Sequence, residues 1–148
     1  MQWDDSLSIG IDVIDNQHRE WIKRLGNVAA AVQAGRGPGR IVETLDFLVD
    51  YTRFHFGTEE RFMAEHKYPE SDAHKAKHEE LAAALKDLER DFDDEGASHN
   101  LAAAVDTFLS NWLVRHIREV DLRFGEFLRQ IQYADTKEAV LTRNGKSL

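Results

Sequence analysis

The chain has 148 residues, of which 42% are hydrophobic, and a formal net charge of −8. That length supports one domain with a real core, and the acidic balance argues against nucleic acid and anionic membranes, which reward clustered Lys and Arg. With no Cys, disulfides, zinc ribbons, iron–sulfur clusters and thiol catalysis are excluded together.

The opening MQWDDSLSIG has neither a basic n-region nor an apolar h-region. No apolar run approaches the ~18 residues a membrane helix needs. The expectation is a cytoplasmic protein without membrane insertion. Residues 1–12 read as an irregular arm whose Trp3, Leu7, Ile9 and Ile11 can pack down. Four helical stretches follow, separated by breakers. The first spans about 13–34 and ends at Gly35-Arg36-Gly37-Pro38-Gly39. The second spans about 40–66 and stops before Pro69. The third spans about 71–93, with Ser71 or Asp72 as N-cap, and ends near Gly96. The fourth spans about 99–131 behind Ser98 or Asn100. Residues 132–148 are a polar tail in which Asp135 and Glu138 could cap one short helix. Nothing reads as a strand. The predicted fold is all-α: an up-down-up-down four-helix bundle over 1–131, including the N-terminal arm, with 132–148 as a short tail.

The core face of a bundle helix repeats at alternating steps of three and four. The first helix then offers Ile14, His18, Trp21, Leu25, Val28 and Val32. The second offers Ile41, Leu45, Leu48, Thr52, His55, Glu59 and Phe62. The third offers His74, His78, Leu81, Leu85, Leu88 and Phe92, and the fourth Leu101, Val105, Phe108, Trp112, His116 and Val120. Every stripe carries a histidine. A single core histidine is ordinarily structural, but here five of the chain's seven share one core with a glutamate. Buried without partners, each would cost ~1–3 kcal/mol. With the helices alternating in direction, the five rings and Glu59 fall into one layer. A metal centre satisfies all of them at once.

His55 with Glu59, and His74 with His78, are i, i+4 pairs that point two donors at one place. Asp121 lies five residues after His116, about 140° round a regular helix. It is nonetheless taken as a ligand, because a site with one Glu lacks a second bridging carboxylate. Both side chains reach the metals only if the helix leaves α geometry between Arg115 and Arg123, as a π-bulge would allow. His66, near a helix C-terminus, reads as structural, and His99 as a solvated loop residue.

The segments Ile14-Asp15-Asn16-Gln17-His18, His55-Phe56-Gly57-Thr58-Glu59-Glu60, Tyr68-Pro69, His74-x-x-x-His78 and Trp112-Leu113-Val114-Arg115-His116-Ile117-Arg118-Glu119-Val120-Asp121 resemble the hemerythrin family, in particular its stand-alone bacterial members. The likeness runs in order over about residues 3–128, and no ligand position of the family pattern is missing. It implies two non-haem irons bridged by Glu59, Asp121 and an oxo or hydroxo group. His74, His78 and His116 would hold one iron, and His18 and His55 the other. The second iron then keeps one position open for dioxygen, where small anions can also bind. The family's Trp-Leu pair that lines the oxygen site matches Trp112 and Leu113, one turn before His116.

The expected function is therefore reversible dioxygen binding rather than catalysis. Di-iron oxidases and oxygenases of the bundle type use carboxylate-rich sets with two Glu-x-x-His motifs, which the assigned ligands here lack. Neutral imidazoles stabilise high-valent iron less well than anionic oxygens do. An oxygen- or iron-sensing module working through a separate partner, and an iron store, are the remaining readings.

Overall fold

The computed structural model describes residues 2–95 and 99–131. Its elements are a 3-10 turn at Asp5–Leu7 and four helices: α1 (Asp12–Gln33), α2 (Pro38–Glu65), α3 (Ser71–Glu95) and α4, which starts as His99–His116. α4 continues through a π segment, Ile117–Asp121, and resumes α geometry over 122–131. The expected tail helix, in 132–148, lies outside the described residues.

Local chemistry explains the boundaries. Gly35 ends α1 at φ 67, and the Arg36 N–H donates to the Ala31 carbonyl 3.0 Å away. α2 starts two residues earlier than expected because Pro38 opens it; its missing N–H is unneeded in a first turn. Lys67, at φ 53, ends α2 and returns the Tyr68 N–H to the Met63 carbonyl at 3.0 Å. His99 opens α4 instead of lying in a loop, and Asn100 is inside the helix rather than its cap.

α1 packs on α2 and α4, and α3 on the same two, as an antiparallel bundle requires. The core includes Ile14, Trp21, Leu25, Val28, Leu45, Leu48, Leu81, Leu85, Phe92, Val105, Leu113, Phe124 and Leu128. Some predicted core positions move. Phe108 is 43% exposed and Leu109 is buried in its place; Met63 is buried where Phe62 was expected. Phe62, Leu88, Val32, Trp112 and Val120 are half-buried. Past His116 the displacement has a clear cause. The π segment inserts one extra residue into the turn, so Asp121, not Val120, takes the next inward position.

The arm seals the end of the bundle nearest the histidines. Leu7 and Ile9 are buried, and Asp15 accepts hydrogen bonds from the Ile9 N–H and the Ser8 hydroxyl. Gly125 of α4 lies directly against this arm: a Cβ there would collide with the Ile9 carbonyl oxygen. Gly26, in α1, faces nothing within 4 Å. Gly26→Ala should therefore stabilise by about 0.5–1 kcal/mol through helix propensity. Gly125→Ala should destabilise by ~1–3 kcal/mol despite the same propensity gain, because overpacking wins. Urea denaturation of the two variants checks both signs.

Candidate metal centre

All seven predicted metal-site residues converge in one layer towards the end of the bundle that the arm closes, and each is buried. α1 supplies His18, α2 His55 and Glu59, α3 His74 and His78, and α4 His116 and Asp121. The ligand atoms form two groups, each within 4.8 Å of one another. One group is His18, His55, Glu59 and Asp121; the other is His74, His78, His116 with the same two carboxylates.

The carboxylates are shared in a particular way. Oε1 of Glu59 lies 3.4 Å from His18 Nε2 and 2.6 Å from His55 Nε2. Its Oε2 lies 2.8 Å from His74 Nε2 and 3.2 Å from His78 Nε2. Oδ2 of Asp121 lies 3.1 Å from His18 Nε2. Its Oδ1 is 3.0 Å from His74 Nε2 and 3.1 Å from His116 Nε2. Each carboxylate thus turns one oxygen to each histidine group.

The π segment makes this possible. The Leu122 N–H donates to the Ile117 carbonyl, five residues back, and Asp121 swings to the face of His116 with no solvent exposure. Many of these close atoms are not hydrogen-bonded to one another. Nε2 of His55, His78 and His116 and both Asp121 oxygens lack an aligned partner despite the short separations. Only His18 and His74 are aligned to Glu59 as hydrogen-bond partners, so the other buried donors are left for a group placed among them. Borderline nitrogen donors with hard carboxylate oxygens suit iron or another first-row divalent metal, so the residues present fit the di-iron group.

Residues 9–128 match the family defined as the hemerythrin HHE cation binding domain. The chain belongs to the hemerythrin family. It is 38% identical to the bacteriohemerythrin of Stenotrophomonas maltophilia over 84% of this chain and 78% of that protein. It is 33% identical to the bacteriohemerythrin of Methylococcus capsulatus, covering 77% and 85% of the two chains. A crystal structure of wild-type hemerythrin superposes with a TM-score of 0.75 at 29% identity, over 85% of this chain and 95% of that one.

Several residues around the hemerythrin site were not singled out by sequence reasoning. Phe56 stacks on His78 at 3.8 Å between ring centroids, and Trp21 lies 5.1 Å from His55. Trp112, which was expected here, stacks on His116 at 4.4 Å. Nδ1 of His55 is 2.8 Å from Gln17 Oε1, and Nδ1 of His78 is 3.2 Å from Glu60 Oε2. Gln17, Thr58 and Glu60 each adjoin a predicted site residue and lie in the segments that carry the family resemblance, but neither signal gave them a role. His66 is apart from the site: its Nδ1 donates to the Phe62 carbonyl at 2.9 Å, and its ring stacks on Phe62.

The electrostatics follow from burying two carboxylates among five imidazoles. Burial pulls the pKa of His18 down, but Asp121 and Glu59 outweigh it and raise it to about 9. His74 is raised to about 9 in the same way, against its burial. Burial lowers His55, and the Glu59 charge only partly offsets it. Glu59 is held well below its ordinary value, since His55, His18 and His74 outweigh its burial. Asp121 is likewise held down, chiefly by His116, against burial and the charge of Glu59.

These shifts predict how the metal-free protein responds to pH. His18 and His74 bind protons more tightly folded than unfolded, so their contribution is complete below 6.5 and is lost as pH rises towards about 9. His55 and the two carboxylates have lowered values, so their contribution is lost as pH falls. Urea midpoints of the metal-free protein should peak near pH 6.5 and decline towards 9. If these imidazoles bind iron they carry no proton on the binding nitrogen, so iron-loaded protein should not show the alkaline decline.

Proposed function

We propose that this chain binds dioxygen reversibly at a centre of two non-haem irons, with His18, His55, Glu59, His74, His78, His116 and Asp121 as its protein ligands. The observation that carries the reading is the division of oxygens: Glu59 and Asp121 each offer one oxygen to each histidine group, which is how a bridging carboxylate serves two metals. Donor counting then gives the asymmetry. One group has three imidazole nitrogens and two carboxylate oxygens, to which an oxo or hydroxo bridge would add a sixth donor. The other has two imidazole nitrogens and the remaining oxygen of each carboxylate, so with the same bridge it would count five donors and leave one position for dioxygen or a small anion. The bound iron pair would supply that position and the two electrons shared with dioxygen.

Hemerythrins are oxygen carriers rather than enzymes, and the surroundings here suit a carrier. Leu113 is 2% exposed. With Trp21, Leu48, Leu81, Leu109 and Trp112 it lines an internal cavity of about 10 Å³. A space of that size is at the lower limit for one small molecule, and its one polar side chain, Thr52, already donates to the Leu48 carbonyl. Trp21 borders both the cavity and the open group, 6.3 Å from His18 and 5.1 Å from His55, while Trp112 links the cavity to His116 of the other group. Among the described residues, no helix is long and apolar enough to cross a membrane.

Anaerobic loading with ferrous iron should give two irons per chain. Air should then produce a visible absorption band that disappears on deoxygenation and returns on re-exposure. A stoichiometry near one, or a band that never reverses, would overturn the reading.

The apolar wall is tested separately. Leu113→Ala should cost ~2–5 kcal/mol as a buried leucine, still bind two irons, and lose its oxygenated form to the diferric state faster than the parent. Leu45→Ala, equally buried but not lining the cavity, is the control. It should lose comparable stability without the faster decay. Equal decay rates in the parent and both variants would remove Leu113 from this role.

A further inference from the structure

Only one placement of its proton lets His55 serve a metal. Nε2 faces the site and must offer a lone pair, so the proton has to sit on Nδ1. Nε2 lies 2.6 Å from Glu59 Oε1 without the alignment of a hydrogen bond. Nδ1 lies 2.8 Å from Gln17 Oε1. A primary amide does not decide the matter by itself, because its two ends have nearly the same shape. Turned half round, Gln17 would present its NH2 to Nδ1 and send the ring proton to Nε2. Gln17 has room to turn: it is half-buried at a surface groove of about 310 Å³.

Thr58 biases the choice. Its hydroxyl carries one proton, which it donates to the Phe54 carbonyl one turn earlier at 3.2 Å. Its oxygen is thereby left as an acceptor for Gln17 Nε2 at 3.1 Å. The amide's NH2 end is committed to Thr58 and its oxygen to His55. We propose that the Phe54 carbonyl, Thr58 and Gln17 form a directional relay that holds the His55 proton on Nδ1, with Thr58 and Gln17 as positioning residues for the metal centre. The proposal rests on the reading of His55 as a ligand. His78 needs no relay, because its Nδ1 faces the Glu60 carboxylate, which can only accept. One ring is thus set by a charge, and the other by a neutral chain that loss of a single hydroxyl would break.

Thr58→Val keeps the side-chain shape and removes the hydroxyl; Thr58→Ser restores it. Nitrogen-15 NMR of the histidine rings in metal-free protein at pH 8 reads the proton position directly. Anaerobic titration with ferrous iron reads the consequence. The parent should show His55 protonated on Nδ1. Thr58→Val should populate the Nε2–H form and weaken iron binding about 10-fold, the lower end of the effect of losing an outer partner of a ligating histidine. Thr58→Ser should restore both, and the His78 signal should not move. Adding Gln17→Glu to Thr58→Val should also restore Nδ1–H, because a carboxylate needs no orienting. The relay is overturned if His55 keeps its Nδ1 proton and parent affinity in Thr58→Val, or if Ser fails as Val does. If the ring responds as expected but iron-loaded parent binds no dioxygen, the relay stands and the oxygen-binding reading falls.

Discussion

Two carboxylates with no solvent exposure, Glu59 on α2 and Asp121 on α4, stand within reach of the same imidazoles in a core otherwise built of aliphatic and aromatic side chains. Taking each of these anions out of water costs several kcal/mol, and their mutual repulsion adds to that. The compensation comes from five histidines on four helices. No helix supplies enough donors alone, so none can slide by a turn without stranding a charge. The register of the whole bundle is tied to this one layer, and the hydrophobic stripes above and below must pack around it.

The same constraint explains the irregularity in α4. A regular helix would direct Val120 inward and leave Asp121 off the site face. The π segment trades one standard turn for a wider one and places Asp121 beside His116. Its consequences run further along the chain. The phase of the helix after 121 is displaced by a residue, so Phe124 and Leu128 enter the core and Gly125 meets the backbone of the arm. The arm is held there by Asp15, which belongs to the turn of α1 that precedes His18. A distortion that brings one carboxylate to the histidines is thereby coupled to the closure of the bundle end.

Around the polar layer the rings are packed on their faces and held at their outer edges. Phe56 and Trp112 lie flat on His78 and His116, while Gln17 and Glu60 take the outer nitrogens of His55 and His78. Aromatic faces exclude water without offering a competing ligand. The outer acceptors orient the rings without entering the site. Both features favour a centre whose donors are already in place before a metal or a gas arrives.

By itself the sequence determined the four helices, the histidine on each apolar stripe, and the need for a distortion between His116 and Asp121. These follow from spacing along one chain, and spacing is what a helix converts into direction. Only the tertiary structure decided which oxygen of each carboxylate faces which histidines, that Leu109 rather than Phe108 fills the core, and that Gln17 meets His55 through an amide oriented by Thr58. Those facts depend on how one helix is rotated against another, and residues 38 positions apart in the chain leave no periodic trace of their meeting. Phe108 and Leu109 are equally apolar, so no pattern of polarity separates them. The direction of a hydrogen bond is likewise a property of the partner group in space, because the same glutamine can give or take depending on what stands behind it.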